Sequence, residues 1–237
     1  MQAQTLARLV QLHNPPSGVY DVTDPCSNDD MTSRLIQARC DMQTEGGGWT
    51  VILRRRIDTP AVDFNQRVWD DYENGFGDLT TEFWLGLRTI HCLTQRDDVD
   101  LMIDLRFSDG NGMTWIYELF EVAGSNDHYR LHIGNGRGPE GGYDAMAPLN
   151  GSQFSTRDSD HDNSTANCAA MAGRGGWWHS NCFYAQLTGS RPNGMFWYEG
   201  TGVVTRLHSS IYSFYQNVEM KIRPKNCNLD CPDEHEY

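Results

Sequence analysis

Hydrophobic positions in the first half of the chain follow the short periods of strands, with one segment of helical spacing. Residues 49–53 are β-branched and aromatic and follow three glycines, so they predict a strand entered from a turn. Large apolar side chains recur with helical spacing between 81 and 95, which predicts a helix packed on a sheet. Further strands are predicted at residues 100–107, 114–122, 128–133 and 217–222.

The regular pattern fades between about residues 134 and 210, where glycine, serine, asparagine and aromatic residues dominate. A stretch of this length without regular structure inside a compact domain is usually functional or held in place by other means. The segment contains closely spaced aspartates and two of the seven cysteines. A metal ion and a disulfide are therefore the expected means of organising it.

Composition narrows the class of protein. With 237 residues, 38% of them hydrophobic, the protein is large enough to bury a substantial core in one or two domains. The net charge of −13 opposes binding to nucleic-acid phosphates and anionic membranes. There is no apolar run of about 18 residues to span a membrane, and no signal peptide is visible. The seven cysteines and the glycosylation triplets at Asn150 and Asn163 favour a secreted glycoprotein.

The most informative polar segment precedes Cys168 and alternates carboxylates with other residues. Its aspartates are Asp158, Asp160 and Asp162. Carboxylate and carbonyl oxygens are the ligands that calcium prefers, and alternate positions of an extended turn can face one centre. A disulfide from Cys168 to Cys182 could hold the following segment closed. The pattern predicts a surface loop organised by calcium.

Competing kinds of site are poorly supported by the sequence. An EF-hand counted from Asp158 needs glycine at its sixth position and glutamate at its twelfth, but Asn163 and Ala169 stand there. No nucleophile elbow, zinc-protease helix or phosphate-binding loop is present. His161 is interpreted as a solvated loop residue and Cys92 as a buried helical thiol. We therefore predict a protein that is not an enzyme.

Several short motifs occur in a fixed order between residues 17 and 224. They are SGVY at 17–20, CDMQTEGGGWTV at 40–51, EFWLGL at 82–87, FSTRD at 154–158, NCA at 167–169, WW at 177–178 and EMKIRP at 219–224. Together they resemble the fibrinogen C-terminal-like family, which includes ficolins, tachylectins, tenascins and angiopoietins. The resemblance implies an α+β domain with a central twisted, mainly antiparallel sheet, flanking helices and a loop-rich, calcium-binding C-terminal region. That domain would span residues 17–225, between a linking or helical segment at 1–16 and a polar tail at 226–237.

The resemblance also assigns calcium ligands. In this family, two aspartates two positions apart and two backbone carbonyls further along the sequence hold the ion. Counting back from Cys168 gives these roles to the carboxylates of Asp160 and Asp162 and to the carbonyls of Ser164 and Ala166. Waters would complete the coordination.

The resemblance implies one disulfide, Cys168–Cys182, and leaves the other cysteines less determined. Cys40 matches a family cysteine that pairs with one further upstream, and Cys26 is expected to replace that partner in a Cys26–Cys40 bond. Two cysteines of the tail could pair with each other or with Cys92; they are Cys227 and Cys231.

The ligand pocket is expected beside the second cysteine of that disulfide. In the lectin members, the amide before this cysteine faces the acetyl oxygen of an N-acetylated sugar, and calcium stiffens the neighbouring backbone. The residues expected to contact a ligand are Asn181, Cys182, Phe183, Tyr184, Trp197 and Tyr198. Phe183 stands where the lectins have histidine, so the pocket departs from their pattern at this point.

These observations predict a secreted, calcium-binding recognition module. The expected partners are glycans, N-acetylated or otherwise decorated, as in innate immunity. Because single sugar pockets are weak, a homo-oligomer is expected to supply avidity. The alternative is a protein-binding or adhesion module of the tenascin or angiopoietin type, with no sugar ligand.

Overall fold

The computed structural model describes residues 15–27, 34–182, 184–190, 195–198 and 212–225. The expected tail at 226–237 and all but the last two residues of the expected segment at 1–16 lie outside these ranges. Within them, the helices are α1 (Trp69–Asn74) and α2 (Leu87–Arg96). The strands are β1 (Gly18–Thr23), β2 (Leu35–Asp41), β3 (Trp49–Arg55), β4 (Phe76–Gly77), β5 (Phe83–Trp84), β6 (Val99–Arg106), β7 (Gly112–Tyr117), β8 (Phe120–Val122), β9 (Leu131–Ile133), β10 (Gly136–Arg137), β11 (Ala185–Gln186), β12 (Phe196–Tyr198), β13 (Tyr212–Phe214) and β14 (Asn217–Pro224). Neither described helix is long and apolar enough to cross a membrane.

One antiparallel sheet organises the molecule, in the order β1-β2-β3-β14-β6-β7-β10, with β5 beside β3 and β4 beside β5. The last strand in the sequence, β14, lies in the centre between β3 and β6. Every residue of β3 is buried, which explains its nearly continuous apolar sequence. In β6, Leu101, Ile103 and Leu105 face the core at alternate positions. Two small sheets, β8-β9 and β11-β12-β13, carry the loops of the C-terminal half.

The predicted helix at 81–95 begins later than its apolar pattern suggested. Phe83 and Trp84 form strand β5, which pairs with β3 and β4, and α2 starts only at Leu87. Gly86 makes the turn between them with φ of 102°, and a Cβ there would lie 2.8 Å from the carbonyl carbon of Asn74. Sheet pairing therefore overrides the helical spacing of the two aromatic residues.

The predicted strands are confirmed, with two adjustments. Residues 114–122 divide into β7 and β8. The strand predicted at 128–133 begins only at Leu131, because His128 and Tyr129 adopt left-handed conformations with φ of 48° and 53°. Two consecutive non-glycine residues in this region cannot extend a strand.

The core beneath the C-terminal loops is built from aromatic side chains. Trp178 is fully buried and contacts the rings of Phe154 at 5.2 Å and Trp84 at 6.1 Å between centroids. Its indole nitrogen donates to the carbonyl oxygen of Tyr129 at 2.8 Å. Because the indole is both packed and hydrogen-bonded, this side chain fixes the loops to the sheet.

The disulfide pattern corrects the sequence prediction. The structure joins Cys26 to Cys92, not to Cys40, whose thiol is buried and unpaired among the described residues. The register explains the error: Cys40 lies opposite Gly18, whereas Cys26 follows Thr23 at the other end of the β1-β2 pair. Cys92 is therefore not a free helical thiol or a partner for the tail cysteines. Those two, Cys227 and Cys231, lie outside the described residues.

Candidate functional site

The acidic loop before Cys168 folds around the carboxylate of Asp162. One of its oxygens accepts the amide of Ser164 and the other accepts the amide of Cys168, both at 2.8 Å. The Asp160 carboxylate accepts the amide of Asp162 at 3.3 Å. These bonds bring the two predicted carboxylates into one turn with the backbone of Ser164.

The charges in this loop are compatible with a cation. Burial raises the pKa of the Asp162 carboxyl, the amides of Cys168 and Ser164 oppose that shift, and the carboxyl of Asp160 adds to it. Two neighbouring carboxylates repel each other, and a bound cation would relieve the repulsion.

The predicted carbonyl ligands also suit calcium. Among the described residues, no backbone amide donates to the carbonyl oxygens of Ser164 or Ala166, so both can accept a further partner. The described residues contain no group of three or more histidine, cysteine or acidic side chains placed to hold a metal. A site here would thus combine two carboxylates with neutral carbonyls and waters, which is a donor set that calcium accepts.

The acidic loop is joined directly to the segment before Cys182. The amide of Asn163 donates to the carbonyl of Ser180 at 3.0 Å, and the Cys168–Cys182 disulfide is present with a Cα separation of 5.2 Å. On its other side, the Asp158 carboxylate accepts the amide of Trp69 at 2.9 Å, at the start of α1. The acidic loop is therefore attached on one side to the segment that ends at Cys182 and on the other side to α1.

Cys182 is held in an unfavourable backbone conformation. Its φ is 64°, in the left-handed region that non-glycine residues rarely adopt. The Arg174 guanidinium donates to the Cys182 carbonyl at 3.3 Å and lies 4.4 Å from the Phe196 ring centroid. Strain of this kind persists where the surroundings impose it, often at binding sites. Asn181, immediately before it, is exposed.

Three half-buried tyrosine rings meet at one place, which we call the tyrosine corner: Tyr184 and Tyr198, which follow Cys182 in the sequence, and Tyr143, which precedes it. The Tyr198 ring is nearly perpendicular to those of Tyr143 and Tyr184, with centroid distances of 4.9 and 6.1 Å. The amide of Tyr198 donates to the carbonyl of Tyr184 at 2.8 Å, which fixes their spacing. The structure thus brings together two predicted ligand residues and adds Tyr143, which sequence reasoning missed because it comes from a distant loop.

Two other predicted ligand residues have different outcomes. Trp197 is fully buried, stacks on Trp115 at 5.7 Å, and donates its indole N–H to the carbonyl of Tyr143 at 2.9 Å. Trp197 therefore belongs to the core, supports the tyrosine corner from there, and exposes no surface to a ligand. Its predicted role as a ligand contact is wrong. Phe183 lies outside the described residues.

His161 is not the solvated loop residue that the sequence suggested. It is half-buried and stacks on His128 with 3.7 Å between ring centroids. Its Nε2 lies 2.8 Å from the hydroxyl of Ser159, and Trp69 packs against it at 5.4 Å. The residue packs the acidic loop against α1.

Comparison with known proteins reveals extensive similarity. The family model that describes the C-terminal globular domain of the fibrinogen beta and gamma chains matches residues 11–225. Tenascin-R of Gallus gallus is 40% identical over 216 residues, which cover 89% of this chain but only 14% of the tenascin. Techylectin-5A of Tachypleus tridentatus is 36% identical over 199 residues, covering 84% of this chain and 67% of the techylectin. The fibrinogen-like globe domain of human ANGPTL6 superposes with a TM-score of 0.77 at 34% identity, covering 92% of this chain and 94% of that domain.

Proposed function

Because this chain belongs to the family of fibrinogen C-terminal-like domains, we propose that it is a secreted recognition module, organised by calcium, that binds glycans as a lectin does. The family match and the superposition on the ANGPTL6 globe domain confirm the fold predicted from the sequence motifs. Relatives in the family include a protein named as a lectin, techylectin-5A, and the tenascin type. We therefore propose that this protein acts by recognition and not by catalysis.

Calcium is proposed to bind the carboxylates of Asp160 and Asp162 and the carbonyls of Ser164 and Ala166. A bound ion would supply positive charge between the two carboxylates and fix the turn. The protein's part is to present them: amides of Ser164 and Cys168 orient the Asp162 carboxylate. The metal is not proposed to touch the glycan.

The glycan proposal rests on the direct connection between the acidic loop and the segment at Asn181 and Cys182, where Asn181 is exposed and the backbone of Cys182 is strained. The Asn163–Ser180 hydrogen bond and the disulfide at Cys182 link this loop to the backbone on both sides of Asn181, and Tyr184 of the tyrosine corner follows two residues after Cys182 in the sequence. Sugar sites need aromatic faces together with a few fixed polar groups. Tyr184 and Tyr198 supply the rings and hydroxyls, and the backbone around Asn181 supplies polar groups.

A glycan array with a matched pair of variants tests this proposal. The wild-type protein is expected to bind N-acetylated or otherwise decorated glycans in calcium and to lose this binding in EDTA. Tyr198→Ala is expected to weaken binding about ten-fold, since it removes one ring of the corner. Tyr20→Ala, on β1, is the control and should leave binding unchanged. Equal binding by both variants would refute the role of the corner.

Calcium binding itself is tested by thermal unfolding of Asp160→Asn and Asp162→Asn. A ligand at 100 times its Kd stabilises the folded state by about 2.7 kcal/mol, so the wild-type Tm should rise with calcium. Both variants should lose this rise. Asp109→Asn, in the exposed turn between β6 and β7, should keep it. A calcium-dependent rise that survives in the Asp160 and Asp162 variants would rule out the assignment.

A protein-binding or adhesion role is the second candidate. Two observations favour it: the 40% identity with tenascin-R, and phenylalanine at position 183 where the lectins have histidine. A blank array obtained with folded, calcium-loaded protein would select this alternative. In either role, presentation of several copies in a homo-oligomer would raise avidity without new contacts.

A further inference from the structure

A cavity lies away from the acidic loop, between the β1-β2 pair, helix α2 and the end of β14. Its volume is about 60 Å³, room for a short aliphatic group. Its walls are mostly apolar and include Val22, Ile36, Leu93, Val99 and Ile222. The cavity is partly open to the surface, so a small ligand could enter it.

Helix α2 contacts both the core and this cavity. Its residues at helical spacing form two stripes. The stripe that faces the core is Leu87, Ile90 and Thr94. The stripe that lines the cavity is Thr89, Leu93 and Arg96. This second stripe places one apolar side chain, Leu93, between a hydroxyl and a cationic group, which suits an amphipathic ligand.

The Cys26–Cys92 disulfide fixes the outer wall. It joins the loop that follows β1 to α2, and Pro25, next to Cys26, lines the cavity and is buried. The wall is therefore held covalently against the helix. A preformed site of this kind loses little conformational entropy when a small ligand enters.

The charged side chain at the opening of the cavity determines which class of ligand it can bind. Arg96 is exposed, and no residue in the described part of the protein forms a hydrogen bond or an ion pair with its guanidinium. Guanidinium pairs with carboxylate through two parallel hydrogen bonds. We propose that this cavity binds short aliphatic carboxylates, with the alkyl group against Leu93 and Ile222 and the carboxylate on Arg96. Asp97 also lines the cavity and opposes the bound charge.

Titration of the full, calcium-loaded protein with sodium hexanoate, followed by NMR or calorimetry, tests the proposal. Saturable binding in the millimolar range is expected for so small a ligand. Arg96→Gln should weaken it about ten-fold through loss of the charged hydrogen bonds, and Asp97→Asn should strengthen it. Arg88→Gln, on the same helix but outside the cavity lining, is the matched control and should bind as the wild type does.

A neutral analogue separates the head group from the alkyl group. Hexanamide should bind the wild type more weakly than hexanoate does, and this preference for hexanoate should be lost in Arg96→Gln, where Asp97 still opposes a carboxylate. Leu93→Phe, checked for folding by circular dichroism, should reduce the affinity for both ligands by filling the cavity. Equal hexanoate affinity in the Arg96 and Arg88 variants, or no saturation by any ligand, would overturn the proposal.

Discussion

Replacing Glu82 by glutamine is expected to lower the free energy of unfolding by about 3–5 kcal/mol, because it leaves a buried guanidinium without its counter-charge. Glu82 and Arg55 are both fully buried, with 3.5 Å between the Arg55 Nε and a Glu82 oxygen. The guanidinium also donates to the carbonyls of Leu187 and Gly189, at 3.3 and 2.9 Å. The pair therefore ties the buried strand β3 to the loop region that carries the proposed glycan site.

The measurement is equilibrium denaturation in urea with the disulfides intact. Glu118→Gln is the matched control, since the pair that Glu118 forms with Arg137 at 3.8 Å is exposed, and no measurable loss is expected from it. The double variant Arg55→Met/Glu82→Leu should recover part of the stability, because it removes both buried charges. The recovery is incomplete because Glu82 also accepts the amides of Arg56 and Val62, and apolar side chains cannot replace these hydrogen bonds. Coincident unfolding midpoints for Glu82→Gln and Glu118→Gln would contradict the assigned role.

Acidification from pH 7 to 4.5 is expected to cost about 2.5 kcal/mol of stability through His179 alone. Burial lowers the pKa of this imidazole to about 4, with Arg174 acting in the same direction and the Gly175 carbonyl opposing it. The unfolded protein takes up the proton below about pH 6.5, whereas the folded protein resists it down to about pH 4. The contribution is therefore complete above pH 6.5 and is lost progressively as the pH falls through this window.

The dependence is measured by urea denaturation at both pH values. His179→Gln should lose less stability than the wild type on acidification, because the group that protonates on unfolding is gone. His132→Gln, at an exposed position of β9, should behave as the wild type does. The same pH dependence in wild type and His179→Gln would show that another group is responsible.

The parts of the candidate site that could be anticipated are local in sequence. Asp160, Asp162 and Cys168 lie within one short turn, and their spacing alone suggested that they act together. The hydrogen bonds from the amides of Ser164 and Cys168 to Asp162 then follow from the path of the turn. Tyr143 could not be anticipated, because only the fold brings its loop to Tyr198.

The sequence was least informative about which aromatic residues are buried and which cysteines pair. The aromatic run at residues 196–198 gave no indication that Trp197 is fully buried while Tyr198 is partly exposed. An aromatic ring suits a core and a binding surface equally, and only packing against Trp115 distinguishes the two. In the same way, the cysteine count did not reveal that Cys26 reaches Cys92, 66 residues away.

The sequence by itself determined the class of fold, the central strands and the acidic turn, because two-residue alternation and closely spaced ligands are encoded within a few neighbouring positions. The tertiary structure decided where α2 begins, which cysteines pair, which rings form the tyrosine corner and which charged side chain lies at the opening of the cavity beside α2. Each of these depends on contacts between segments that are distant in the sequence, and the energies of such contacts exceed the local preferences that a sequence displays.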